Sequence, residues 1–275
     1  MRLSAIQMNQ GSDKGANLDQ ARRLIEAALA ADRPDVITLP ETWTNLGGGR
    51  EARATAAETL PEPGGTGGAA YEFLRGVAKG AGIHVHGGSI IEQGPEKFFN
   101  TTVVFDPTGT EIARYRKIHL FDITGPDGTG YRESALYGAG TDLVTFQAGG
   151  VKFGCTICYD MRFPEQYLAL RRAGAEVILV PSNFTLMTGK DHWEVLLRAR
   201  AIEAQCWVAA AASWGAYEER GATRQVYGHS LIVDPWGHVV AKASDGIGWI
   251  TARLDASVTA RVRRDMPVLE HRRLA

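Results

Sequence analysis

Short apolar runs alternate along the chain with stretches whose apolar residues recur every three or four positions, the grammar of alternating strands and helices. Residues 3–8 form an apolar run that predicts a buried strand. Leu18, Ala21, Leu24, Ile25, Ala28 and Leu29 follow at helical spacing behind Asn17, read as the N-cap. A second strand at 36–39 stops at Pro40. Residues 70–79 predict a helix ended by Gly80 and Gly82. Strands are expected at 83–91, 101–105 and 111–115, the last two joined by the turn Asp106-Pro107-Thr108-Gly109. The second half repeats the scheme: strand 151–158, helix 164–173 with proline in its first turn, strand 177–180, helix 191–205 and strand 207–212. Strands at 231–233 and 239–241 flank another turn, Asp234-Pro235-Trp236-Gly237. A strand at 248–253 precedes a short helix and a basic tail.

Two pairs of segments look alike across the halves. Thr102-Val103-Val104-Phe105-Asp106-Pro107 parallels Ser230-Leu231-Ile232-Val233-Asp234-Pro235, and Asp35-Val36-Ile37-Thr38-Leu39-Pro40 parallels Glu176-Val177-Ile178-Leu179-Val180-Pro181. Strands ending in Asp-Pro turns are common, so likeness alone leaves coincidence open. The repeat predicts an α/β fold: a four-layer α-β-β-α sandwich with two facing sheets, helices outside and an internal pseudo-two-fold repeat. Residues 1–275 are expected to form a single domain, because strands continue on both sides of the Gly- and Pro-rich stretches 61–68 and 125–130, which read as loops. The stretch 213–226 also reads as a long loop, carrying Tyr217, Arg220 and Arg224.

Composition narrows the possible functions. With 44% hydrophobic and 22% charged residues the chain has the make-up of a globular protein with a sizeable core. A net charge of −1 offers no electrostatic footprint for nucleic acid, and Arg261, Arg263 and Arg264 read as a solvated helix face. The longest apolar run, 206–212, is far shorter than the roughly 20 residues of a membrane span. No signal peptide is expected at the start. Three cysteines make a disulfide framework unlikely to be the stabilising device, and a reducing cytoplasm is the expected location.

Candidate chemistry gathers where ligands gather in α/β folds, at the carboxyl ends of strands. Glu41, Lys117, Cys158 and the pair Ser182-Asn183 all stand at such ends. A cysteine after an apolar strand is usually buried filler, and a glutamate or lysine there is usually solvated. Cys158, however, leads through Tyr159-Asp160-Met161-Arg162-Phe163 into a proline-started helix. A sharp strand-to-helix turn exposes a nucleophile and aims backbone N–H groups at an oxyanion. Two rival motifs are weaker. Cys155-Thr156-Ile157-Cys158 has redox or zinc spacing but lies in a strand that points its ends to opposite faces. His84 and His86 share a strand face without a third ligand, so no metal is expected.

These residues resemble the nitrilase superfamily of carbon–nitrogen hydrolases over nearly the whole chain. Leu39-Pro40-Glu41 is similar to its glutamate motif, Tyr115-Arg116-Lys117-Ile118-His119-Leu120-Phe121 to its lysine motif, and the segment from Gly154 to Glu165 around Cys158 to its cysteine motif. The resemblance is closest to the branch with omega-amidase and deaminated-glutathione amidase, through Pro181-Ser182-Asn183-Phe184, Thr188-Gly189, His192-Trp193-Glu194 and Gly228-His229-Ser230. The sequence departs in the 213–226 stretch and at Ala139, where proline is common.

What the resemblance implies is an amidase acting on a small carboxylated amide through a cysteine thioester, with ammonia release and no cofactor. The alternatives are an N-carbamoyl amino acid or other amide or nitrile hydrolase, or a non-catalytic binding protein that kept the fold. Cys158 would attack, Glu41 would serve as base, and Lys117 with the N–H of Tyr159 would hold the oxyanion. Glu133 would orient Lys117 or the water. A Cys–His pair using His119 or His192 is the mechanistic rival. Asn183, Phe184, Thr188, His192 and Trp193 are expected to line the substrate pocket, and His192 to open a helix. Arg162 would either bind a substrate carboxylate or pair with Asp160 or Glu165. The family implies a homodimer or higher homo-oligomer.

Overall fold

The computed structural model describes residues 1–125 and 128–273; Pro126 and Asp127, within the stretch 125–130 read as a loop, lie outside the described residues, as do the last two. The first half runs β1 (Arg2–Gln7), α1 (Lys14–Asp32), β2 (Val36–Thr38), α2 (Gly49–Ala56), α3 (Ala69–Ala81), β3 (His84–His86), β4 (Ile90–Gln93), β5 (Phe98–Phe105) and β6 (Glu111–Arg116). Three short strands follow, β7 (Asp122–Thr124), β8 (Gly130–Arg132) and β9 (Tyr137–Gly138). The second half begins with β10 (Thr145–Ala148), β11 (Val151–Cys155), α4 (Pro164–Arg172), β12 (Val177–Leu179), α5 (Leu186–Ala204) and β13 (Trp207–Ala210). It continues with β14 (Trp214–Glu219), β15 (Ala222–Tyr227), β16 (Leu231–Val233), β17 (Val239–Lys242), β18 (Gly248–Arg253), α6 (Ala256–Asp265) and α7 (Val268–His271).

The sheets share one topology. In the first, β1-β2-β3 run parallel and β5 and then β6 join antiparallel. In the second, β11-β12-β13 run parallel and β16 and then β17 join antiparallel. The paired look-alike segments fall on equivalent strands, β2 with β12 and β5 with β16. Their turns are built alike too. Asp106 Oδ1 accepts from the N–H groups of Thr108 and Thr110, and Asp234 Oδ1 from those of Trp236 and His238. An antiparallel strand flanks each parallel trio, β10 on β11 and, from the far end of the chain, β18 on β1.

Burial sorts into the four expected layers. Leu3, Val36, Val104 and Tyr115 of the first sheet share one apolar cluster with Phe153, Cys155 and Leu179 of the second, which fills the space between the sheets. Ile6, Ile37 and Val85 turn the other way, onto Leu24, Ile25 and Ala28 of α1 and Tyr71, Leu74 and Ala78 of α3. On the opposite flank Tyr167, Leu170, Leu197 and Ala201 cover the second sheet from α4 and α5.

Several expected boundaries move, each for a local reason. The N-cap of α1 is Asp13, whose Oδ1 accepts from the Ala16 N–H at 3.0 Å. Asn17 lies inside the helix, buried, and its side-chain amide bonds the Gly11 backbone and the Thr44 carbonyl. The α2 helix has no counterpart in the sequence reading. The strand expected at 83–91 is two strands broken at Gly87–Ser89. A Cβ on Gly88, which sits at φ 58, would lie 2.1 Å from the Pro40 carbonyl oxygen. That break lets Ser89 bond the chain on either side of Glu41: its N–H donates to Pro40 O and its Oγ accepts from the Thr42 N–H. Strand β11 ends at Cys155, so Cys158 belongs to a 3-10 turn, Cys158–Arg162. Helix α5 starts five residues before the expected position, so His192 lies in its second turn and does not open it. The supposed 213–226 loop is the hairpin β14–β15, reversed at Arg220 and Gly221, both at positive φ.

Gly88→Ala should therefore destabilise the protein by about 2–4 kcal/mol, combining overpacking with a left-handed backbone imposed on a side chain. Urea denaturation would measure the loss. An unchanged midpoint would mean that the Pro40 loop moves freely and does not hold Glu41 in place.

Candidate active site

Four strand ends meet in one cavity of about 390 Å³. Glu41 follows β2 and Lys117 follows β6 on the first sheet, while Cys158 follows β11 and Asn183 follows β12 on the second. The facing of the sheets is what joins residues more than a hundred positions apart.

Lys117 is the hub. Its Nζ donates to Glu41 Oε1 at 2.8 Å and to Glu133 Oε1 and Oε2 at 3.1 and 2.9 Å. Burial alone would pull its pKa down, but the negative charges of Glu133 and Glu41 outweigh it and hold the ammonium well above its ordinary value. Asn100 Nδ2 donates to Glu41 Oε1 at 2.9 Å and reaches Glu133 Oε1 at 3.4 Å, tying the two carboxylates together. Glu41 Oε2 accepts the Asn183 N–H at 2.8 Å, the bond that spans the two sheets. Glu133 stands on a 3-10 turn, Glu133–Ala135, and is fixed by the Phe121 N–H, 2.6 Å from Oε2.

Cys158 takes φ 47, a left-handed conformation that a non-glycine residue adopts only under constraint. Two anchors hold it. Its own N–H donates to Pro181 O at 2.9 Å. Buried Asp160 accepts the Ile157 N–H and the Tyr115 hydroxyl on Oδ2, and the His119 N–H and ring Nδ1 on Oδ1. Burial, then the nearby Glu41 charge, push the thiol well above its ordinary range, while Lys117 pulls it back. The sulfur is thus a protonated thiol that needs a base at the moment of attack.

The expected residues divide into three groups. Glu41, Lys117, Glu133 and Cys158 converge, and Tyr159, Arg162, Asn183, Phe184 and Thr188 line the same cavity. Trp193 does not: it is buried behind Phe184, ring centroids 5.0 Å apart, with its Nε1 bonded to His229 O. His192 is also displaced from the cavity wall. Its Nδ1 stands 3.3 Å from a guanidinium nitrogen of Arg162, which it braces. His119 turns its ring to Asp160 and stacks on Phe163 at 3.7 Å, so its imidazole is committed away from the sulfur. Arg162 pairs with neither Asp160 nor Glu165; among the described residues no carboxylate lies within ion-pair distance of it, and its guanidinium rests over the Tyr159 and Phe184 rings.

Sequence reasoning missed Asn100, Arg53, Tyr131 and Tyr137 in the cavity wall. Asn100 carried a signal, a polar residue in the buried alternation of β5. Arg53 carried none, because it sits on α2 and meets the cavity only through its ion pair with Glu219 of the hairpin, at 2.9 Å. The histidine pair is no metal cradle: His86 is buried on Thr38 Oγ1, and desolvation lowers its pKa to about 3.

Comparison with known proteins agrees with this geometry. The carbon-nitrogen hydrolase family model matches residues 2–264. Deaminated glutathione amidase of Synechocystis sp. is 39% identical over 276 residues, covering 98% of this chain and 97% of that protein. Omega-amidase NIT2-B of Xenopus laevis is 38% identical, covering 99% of this chain and 95% of that protein. The crystal structure of Saccharomyces cerevisiae Nit3, a member of branch 10 of the nitrilase superfamily, superimposes with a TM-score of 0.88 at 32% identity, covering 100% of this chain and 97% of that one.

A thiol raised by burial and by Glu41 should not ionise near neutrality. The ultraviolet difference spectrum between the protein and Cys158→Ala should show no thiolate step below the ordinary cysteine value of 9.0. A step near neutral pH would reveal a preformed thiolate and remove the need for a base.

Proposed function

As a member of the carbon–nitrogen hydrolase family of the nitrilase superfamily, the chain is an amidase, and we propose that it cleaves small amides whose acyl part carries a carboxylate, with Cys158 as nucleophile. The observation that carries the substrate reading is Arg162, a guanidinium on the cavity wall with no carboxylate partner among the described residues. A planar guanidinium matches a carboxylate through two parallel hydrogen bonds. Relatives named for deaminated glutathione and for omega-amides point to the same substrate class.

The reaction proceeds in two balanced halves. Glu41 takes the thiol proton as the sulfur bonds the amide carbon, and the carbonyl electrons move to oxygen. The Lys117 charge and the Tyr159 N–H hold that oxyanion, an early N–H of a helical turn having no partner within the turn. When the carbonyl re-forms, the carbon–nitrogen bond breaks and Glu41 returns its proton to the nitrogen. Ammonia departs from a primary amide, or a larger amine from a substituted one. Water then loses a proton to Glu41 and attacks the thioester, and the sulfur leaves and recovers that proton. Glu133 keeps Lys117 charged and aimed throughout. Side chains alone supply every proton and charge in this scheme.

We also assign a homodimer, in the reducing cytoplasm that three free thiols suit. The outer face of α5 leaves Val195 (67%) and Ile202 (47%) exposed beside Trp236 (51%), an apolar patch of the kind that subunits cover. The Arg198–Gly237 hydrogen bond fixes the Trp236 turn against that helix.

Turnover of α-ketoglutaramate, succinamate and deaminated glutathione tests the chemistry. Cys158→Ala should be inactive. Glu41→Gln should lose about 10²–10⁴ in kcat, the scale of general acid–base catalysis. Near-normal turnover in Glu41→Gln would sink the glutamate base. For the assembly, Val195→Glu should shift the sedimentation of the protein from dimer to monomer; a wild-type monomer would remove the dimer.

A further inference from the structure

The hairpin β14–β15 contributes to the cavity a second guanidinium that the scheme above does not use. Arg224 pairs with Tyr217 across the hairpin, and side-chain alternation puts both on its cavity side with Glu219. Glu219 is taken by Arg53. Arg224 is half-buried and rests over the Tyr131 ring, 5.0 Å from its centroid, and among the described residues no carboxylate lies within ion-pair distance of it. Arg162 has the same environment over Tyr159. Phe121 joins the two platforms, 5.1 Å from Tyr131 on one side and 5.1 Å from Tyr159 on the other. The wall of the cavity is therefore a row of three aromatic rings with an unpaired guanidinium at each end.

The hairpin that carries Arg224 is held in place before any ligand arrives. The Gly48 N–H donates to Glu218 O and the Tyr227 N–H to Phe184 O, both at 2.9 Å. Only glycine fits beside it at position 47, at φ 88, because a Cβ there would lie 2.3 Å from the Glu218 carbonyl oxygen. A rigid mount lets one long side chain discriminate between ligands, since little ordering remains to oppose binding.

We propose that Arg224 recognises a carboxylate on the amine half of the substrate, so that the enzyme selects amides carrying an anion on both sides of the scissile bond. This rests on the amidase reading, with Arg162 holding the acyl-side carboxylate. The leaving group is then a carboxylated amine, an amino acid or short peptide, in place of the ammonia that the family resemblance implied. The aromatic row bears the uncharged part of the substrate between the two guanidinium groups.

Matched substrates test this. The wild type should cleave deaminated glutathione with a kcat/KM at least 10-fold above that of its C-terminal carboxamide. Arg224→Met should erase that preference, mainly through KM, and leave α-ketoglutaramate, which has no amine-side carboxylate, within about twofold; Arg224→Lys should restore part of it. Calorimetry on Cys158→Ala with N-succinylglycine and N-succinylglycinamide separates binding from catalysis. Arg224-dependent binding of the dicarboxylate alone would support the site even if cleavage failed and the amidase reading fell. Equal treatment of acid and carboxamide by the wild type, or an equal loss on all three substrates in Arg224→Met, would overturn it while α-ketoglutaramate cleavage left the amidase reading intact.

Discussion

One buried ammonium between two carboxylates organises this molecule. Lys117 cannot lose Glu41 or Glu133 without leaving a charge stranded in a low-dielectric interior, and neither carboxylate can lose Lys117. The cluster is therefore all-or-none. Because Glu41 is also bonded by the Asn183 N–H, the same charges that we assign to catalysis fix how one sheet sits on the other. Around it the fold supplies what side chains alone cannot. Gly87 and Gly88 break a strand so that the Glu41 loop can close, and Asp160 bonds four groups to hold the strained turn of Cys158.

Electrostatics divides labour within the site. The ammonium and the thiol are buried side by side, yet neither has moved its proton: the carboxylates keep Lys117 charged and Glu41 keeps the sulfur neutral. Attack on the substrate then begins from a resting state without an exposed thiolate, which limits oxidation of the sulfur between turnovers. Arg162 and Arg224 differ from Lys117 in having aromatic faces where it has carboxylates, and that contrast separates cations reserved for a ligand from the one built into the protein.

How much of this was legible depended on whether the signal was local. The strands β1, β2, β12 and β16 stood out because both faces of a parallel or central strand are buried, and the repeat was legible because β5 and β16 end in the same aspartate turn. Glu41, Lys117 and Cys158 could be picked out as strand-end residues, and the resemblance ordered them. What escaped had no local signature. Asn17 looks like a helix cap, yet its amide is consumed by two loops distant in sequence. Trp193 lies near Phe184 on the chain, but the early start of α5 rotates it behind that ring. Arg53 matters only because the hairpin folds over it, and the hairpin itself was hidden because its Arg220-Gly221 reversal reads as an ordinary loop.

The pairing of β18 with β1 also bears on how the protein comes into being. Arg2 is registered opposite Arg253, so the first strand made waits for almost the last one. While the chain is still emerging from the ribosome, the outer edge of β1 has unpaired backbone groups, the kind of edge that recruits stray strands. Synthesis can complete β2, β3 and their helices early, but the first sheet closes only on release. Newly made chains are thus most open to aggregation, and to help from chaperones, in the interval just before termination.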